Sequence, residues 1–553
     1  MVSPVNTLRI SGLATGLDTD SIVKQLMQIH QIPLDQLKQK KQILEWQRDD
    51  YRSINTAISA LRDMAFNMTL RGTYLKYKAT VTATPGSTNG NAGAVSATPG
   101  ASAVEGSYII DVTQLAKPAS LVSTQNVTVD PTKKLSDQGI TSIDFTITVY
   151  QVDANGNPIK DSNGSQIAYS ATFSSTGTDT NGSYKVDTSM TLNDIINKIN
   201  SAKDASGNSL GVKASFDAVL KRFVLTTTGI GGNAKIEVRD NSSNFMGGTL
   251  NISTNNPAQG SDPIFSYTNN QISGLSFTND STNPVYHTNT VTINGVTYNL
   301  IGTGRADIFI QKDTDAIYQS IKDFIDKYNS TLDTIYKMYT EPRYPDYPPL
   351  TDDQKQQLTD TQQQQWTERA KSGLLNGDDL LDSIMTNMRM KMSSNVGDAS
   401  FTYRNMYQIG LNTSSYWIDK TGKITIDDAK LKDAINNNLD AVIKLFTNPF
   451  PTKPDGSVDT QRKSEGGLAV QLKDYLDSAI DQLTQKAGTS DMLYDNSFIS
   501  QSIKEYDQQI SDMQARLTDI ENRYYQQFTQ LETLMQQMNT QSQWLAQQLG
   551  GGK

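Results

Sequence analysis

The sequence predicts a multidomain α+β protein in which an antiparallel terminal coiled-coil or helical stalk encloses inserted, mostly-β head domains. Three observations predict this. Ile503, Tyr506, Ile510, Met513, Leu517, Ile520 and Tyr524 recur at steps of three and four, which lays one apolar seam along a helix. Leu34, Leu37, Leu44, Tyr51, Ile54, Ile58, Leu61, Ala65 and Met68 form a similar seam near the other terminus, with Lys41 and Arg48 at two of its positions. Neither helix buries its seam alone, so each is expected to take the other as partner. Between them the chain is rich in Thr, Ser, Asn and Gly and alternates like strands.

Residues 1–17 place Leu8, Ile10, Leu13 and Leu17 among small and polar residues, with Gly12 and Gly16. The glycines oppose an isolated helix, so this segment is expected to order on a partner. Asp18 is an N-cap candidate for a short helix from Ser21 to His30. Pro33 begins the next helix, where its missing N–H costs little, and Gly72 ends it.

Strands are expected at 107–115 and 143–152, the latter followed by the hairpin signal Asn155-Gly156. A short amphipathic helix spans 191–199, and strands follow at 211–216, 222–227 and 234–238. Asn294-Gly295 marks a second hairpin within 291–300. Helical spacing returns at Asp315 with Ile317, Ile321, Phe324, Ile325 and Tyr328. The stretch 341–350, with its four prolines, breaks it, and a Gln/Asp-rich segment to Lys371 reads as a mobile or marginally helical surface excursion. Helices are expected again at 374–392, 427–446 and 468–483, with a hairpin at 416–426. In the last helix the seam passes from Tyr524 to Phe528, Leu531, Met535 and Met538. Two consecutive steps of four through Tyr524 mark a stutter.

Composition narrows the chemistry. The 553 residues carry a net charge of −9, which opposes nucleic acid or an anionic membrane as the main partner. No cysteine is present, so disulfides and thiolate chemistry are excluded. His30 and His287 are the two histidines and lie far apart in sequence. No stretch is apolar enough to span a bilayer, and the first residues lack a standard secretory signal. Asp153, Asn155 and Asn157 have the spacing of the first EF-hand ligands, yet Pro158 stands where that loop needs Gly. No Walker loop, dinucleotide fingerprint or nucleophile elbow occurs. No catalytic residue, cofactor or metal site is therefore expected, and the chain reads as a non-enzyme.

Four collinear stretches carry a resemblance. SGLATGLDTDSIVKQLM (11–27), the segment 410–446, and RYYQQFTQLETLMQQMNTQSQWL (523–545) resemble the bacterial flagellar filament cap family, hook-associated protein 2, and TLNDIINKIN with GVKASFDAVLKRFVLTTTGIGG (191–232) resembles the repeat of flagellin and hook-associated heads, which other flagellar proteins share. The stretch 341–371 matches no pattern of that family and reads as an insertion.

The resemblance implies a homo-oligomeric ring, most commonly a pentamer, at the distal tip of the flagellar filament. Such a ring retains exported flagellin and promotes its folding and insertion. It implies export by the flagellar type III system, a cytosolic chaperone at the C-terminal region, and hook–filament junction proteins as partners before elongation. Terminal leg segments (1–32 with 511–553), flexible until docked, would sit on the filament through Leu8, Ile10, Leu13, Leu17, Met538 and Leu545. A helical domain (33–75 with 311–510), a head domain (76–120 with 241–310) and an outer head domain (121–240) complete the expected division. The alternatives are an extracellular adhesin that binds host glycan or mucin through its head domains, and another hook-associated structural protein.

Overall fold

The computed structural model describes residues 18–549, apart from 273 and 415–418. Two compact units form: residues 1–74 with 315–553, and residues 75–314. Nine α-helices occur among the described residues: α1 (Thr19–Thr69), α2 (Leu192–Asn200), α3 (Thr314–Thr340), α4 (Asp352–Gln357), α5 (Asp360–Lys371), α6 (Asp379–Met392), α7 (Asp428–Thr447), α8 (Leu468–Ala487) and α9 (Phe498–Leu549).

In the helical unit, Asp18 caps α1 by accepting from the Ser21 amide at 3.0 Å. The expected break before Pro33 does not occur: α1 runs through it for 51 residues. Proline there removes one backbone bond. Met27 and Leu34, buried on either side of it against α9, hold the helix straight through. The C-terminal half of α1 buries Tyr51, Ile54, Ile58, Leu61, Ala65 and Met68. Its partner there is α8, not α9: Asn55 Nδ2 donates to Thr484 Oγ1 at 3.1 Å and Arg62 pairs with Asp477 at 3.4 Å. The expected pairing of the two terminal helices is thus confined to the first half of α1.

The excursion after α3 is ordered rather than marginal, because local chemistry closes both of its helices. Thr351 with Gln354 and Thr359 with Gln362 form capping boxes at the starts of α4 and α5. Trp366 packs on Tyr347 at 4.8 Å and donates its Nε1–H to the Pro348 carbonyl at 2.7 Å. The expected hairpin at 416–426 is also revised. The pair joins Leu411–Thr413 to Ile424–Ile426, and 416–418 lie outside the described residues. Helix α7 kinks at Asn438, whose side chain caps the restart by accepting from the Ala441 amide at 3.2 Å.

The second unit holds two cores. One lies between a five-stranded antiparallel sheet (77–83, 304–312, 106–114, 264–269, 276–279 in spatial order) and a three-stranded sheet (290–293, 296–300, 95–99). Tyr108, Tyr267 and Tyr298 dominate it. The other is built from a sheet ordered 258–259, 235–240, 144–150, 168–174, 183–185, from a three-stranded sheet (118–122, 222–230, 212–217), and from α2. Phe145, Phe173 and Phe245 stack at its centre.

A five-residue turn recurs in this unit. Asp153, Asp161 and Asp204 each accept, through one carboxylate oxygen, from backbone amides two and four residues on, at 2.8 to 3.0 Å. Gly156, Gly164 and Gly207 occupy the fourth place with φ of 79°, 83° and 88°. The EF-hand-like spacing at Asp153 therefore closes a turn, with its carboxylate satisfied by the turn's own amides.

Candidate functional site

The paired terminal helices are the feature that the fold leaves incomplete. Helices α1 and α9 run antiparallel, as a ladder of polar contacts records. Thr19 Oγ1 donates to Glu532 at 3.1 Å, His30 Nε2 lies 3.2 Å from the Tyr524 hydroxyl, and Lys41 pairs with Asp507 at 2.6 Å. Arg52 then reaches Asp495, just before α9, at 2.6 Å. Lys41 at a seam position is thus a charged clasp, and its bond to Asp507 raises its pKa.

Between these rungs Val23, Met27, Leu34 and Leu517 are buried together, with Ile510, Met513, Ile520, Tyr524, Tyr525 and Phe528 half-buried against them. Leu37, Leu44 and Tyr506 are half-buried, and Ile503 is buried. Tyr51, Ile54, Ile58 and Leu61 are buried on α8 as described above. Leu531 is 45% exposed and lies next to Glu532, which is level with the start of α1 at Thr19. Met538 and Leu545 are 66% and 51% exposed, on the stretch of α9 that has no partner among the described residues. Leu8, Ile10, Leu13 and Leu17 lie outside the described residues.

Val23 and Met27 were missed as seam residues. The signal was available, since Val23, Met27, His30, Leu34 and Leu37 step by four, three, four and three straight across Pro33. From Thr533 to Leu549 no charged side chain occurs, and Leu534 and Trp544 join the exposed apolar residues there.

Among the described residues no group of three or more His, Asp or Glu is arranged to hold a metal, and no helix is long and apolar enough to cross a membrane. His287 bonds Asp262 at 2.9 Å, and the Asp262 carboxylate also accepts from the Gly232 amide at 2.6 Å. That pair anchors a loop. The helix pair presents an extended apolar and amide-rich surface.

Family models described as the flagellar hook-associated protein 2 N-terminus and C-terminus match residues 15–119 and 275–540. The flagellar hook-associated protein 2 of Halalkalibacterium halodurans is 31% identical over 558 residues, covering 97% of this chain and 98% of the relative. The chain belongs to the flagellar hook-associated protein 2 family.

Other hook-associated protein 2 relatives are more distant. That of Thermotoga maritima is 24% identical across 99% of this chain and 97% of its own. That of Escherichia coli K12 is 25% identical across 97% of each. A crystal structure of the Escherichia coli flagellar cap protein FliD, domains D1-D2-D3, aligns with 83% of this chain and 99% of its own at 20% identity and a TM-score of 0.47. In this hook-associated protein, α1 and most of α9 fall inside the two matched stretches.

Proposed function

We propose that this hook-associated protein caps the flagellar filament at its distal tip, outside the cell. There it retains exported flagellin and promotes its folding and insertion as the filament elongates. The observation that carries this reading is the similarity to the Halalkalibacterium halodurans protein, which runs through 97% of the chain.

The chain acts as a homo-oligomeric ring, with five subunits as the working stoichiometry. Flagellin, the hook–filament junction proteins and a cytosolic export chaperone at the C-terminal region are its partners. It does so as a structural protein rather than an enzyme. The assembly map keeps terminal legs at 1–32 with 511–553, a helical domain at 33–75 with 311–510, and head domains at 76–120 with 241–310 and at 121–240. Phe245, Met246, Leu250 and Ile252, which pack with Phe145, argue for extending the outer head past 240. The exposed, uncharged end of α9 suits docking on the filament, through Met538 and Leu545 together with Leu8, Ile10, Leu13 and Leu17. The adhesin alternative gains nothing from the relatives, which carry the hook-associated name.

The test is deletion of the gene in its own host. Normal hooks, absent filaments and abundant flagellin monomer in the medium are expected. Complementation with the chain carrying Leu517→Asp and Ile520→Asp should fail to restore filaments. Normal filaments and motility in the deletion strain would overturn the cap reading, and full rescue by the double variant would remove the leg assignment.

A further inference from the structure

The excursion at 341–371 lies along the stretch of α1 where the apolar seams are weakest. Between Leu37 and Tyr51, the seam positions hold Lys41, Leu44 and Arg48, all half-buried. Here the excursion grips α1 by polar contacts. Lys38 pairs with Asp352 at 3.0 Å, and Gln39 Nε2 donates to the Pro349 carbonyl at 2.7 Å. The Lys371 ammonium lies 5.3 Å from the centre of the Trp46 ring. The excursion keeps its own shape through Trp366 on Tyr347, and through Arg343, which donates to the Ala370 carbonyl at 2.6 Å.

Across this contact carboxylates meet carboxylates. Asp50 shares a recess with Glu341, Glu368, Lys337 and Lys371, and has Asp49 beside it on α1. Burial first, then repulsion from Glu341 and Asp49, pushes the Asp50 carboxyl up to about 6 against the pull of Lys371. At the other end Asp35 faces Asp352 and Asp353. Lys38, Lys41, Lys355, Glu45 and Asp507 line the same recess. Burial raises the Asp35 carboxyl, with Asp352 and Asp353 adding to it against Lys38.

We infer that the 341–371 excursion is a pH-responsive brace, which grips α1 in mildly acidic surroundings and loosens toward neutral pH. It thereby sets how firmly α1 is held where it passes from α9 to α8. The inference rests on the contacts within this unit and is independent of the cap reading. The sign follows from Asp35 and Asp50, which are easier to ionise with the brace off, whereas Lys38 holds the Asp352 carboxyl below its ordinary value, so that contact stays charged in mild acid. The grip is therefore firmer in mild acid than at neutral pH, weakening as pH rises through about 6, and it is lost again in stronger acid, where Asp352 takes up a proton and releases Lys38.

The test is hydrogen exchange followed by mass spectrometry on the full chain at about pH 5 and about pH 7.5, with intrinsic rates corrected. Amides of α4 and α5 should open about tenfold more often at the higher pH. The effect is modest because Asp50 is partly screened by solvent. Amides of α8 serve as the unchanged reference. In the Asp35→Asn, Asp50→Asn double variant the difference should vanish, with high protection at both pH values. Glu341→Gln, which leaves α1 untouched, should shrink it. Wild-type protection of α4 and α5 that ignores pH, or a double variant that keeps the wild-type dependence, would overturn the inference.

Discussion

The Tyr51 hydroxyl lies 2.5 Å from one carboxylate oxygen of Asp378, while the other oxygen accepts from the Leu381 amide at 3.1 Å and so caps α6. One carboxylate thus ties the middle of α1 to the start of another helix. The Lys486 ammonium, from α8, lies 4.8 Å from the centre of the Tyr51 ring and closes the junction. Asp378→Ala should cost about 2 kcal/mol, since it removes a cap and leaves a buried phenol unpaired. Tyr51→Phe should cost about 1 kcal/mol. Urea unfolding of both variants checks the order.

Asp495 predicts an acid limb of stability. Partial burial opposes its ionisation, but hydrogen bonds from Ser500 and Ser497, with the charge of Arg52, outweigh this and bring it down to about 2. A carboxylate depressed in the folded state stabilises the fold above its ordinary pKa, and the contribution is lost as pH falls from about 4 through about 2. Asp495→Asn should flatten that limb in thermal melts between those limits, while it lowers stability at neutral pH.

Leu517 and Leu531 share one seam in the sequence but not one environment. Leu517→Ala empties a buried position among Val23, Met27 and Leu34 and should cost about 2–3 kcal/mol of local stability. Leu531→Ala removes a half-exposed side chain and should stay within about 0.5 kcal/mol. Hydrogen exchange of residues 19–34 in each variant distinguishes the two.

The recurrent turns predict a graded glycine series. Gly156 and Gly164 have nearly the same positive φ, so alanine at either should cost about 1 kcal/mol for the backbone alone. A Cβ at Gly156 would also meet the His287 Cβ at 2.6 Å, whereas one at Gly164 meets nothing within 4 Å. Gly156→Ala should therefore lower the melting temperature clearly more than Gly164→Ala.

Periodicity carried the reading of most elements, and failures fell where local preference and tertiary packing disagree. Pro33 argues locally for a helix start, but Met27 and Leu34 pack on the same partner and carry α1 through it. The partner of Tyr51–Met68 could not be read, because α8 and α9 both carry apolar stripes and a stripe does not name its partner. The order of 341–371 was legible in Thr351–Gln354 and Thr359–Gln362, though proline and glutamine content hid it. Leu411–Thr413 escaped notice because three residues are too few to show alternation. At the candidate site the exposure of Leu531 was not legible, because an apolar stripe does not show how far its partner runs.

The discontinuity of the helical unit has a kinetic consequence. Residues 75–314 hold both of their cores within one continuous stretch, and this unit is able to close as soon as that stretch is available. Helix α1 instead finds its apolar partners in α8 and α9, at the far end of the chain. Contacts so distant in sequence carry a large loop-closure cost and form late. A chain delivered amino end first would hold α1 unsatisfied until α8 and α9 arrived. Completion of the helical unit would then wait on the arrival of α8 and α9.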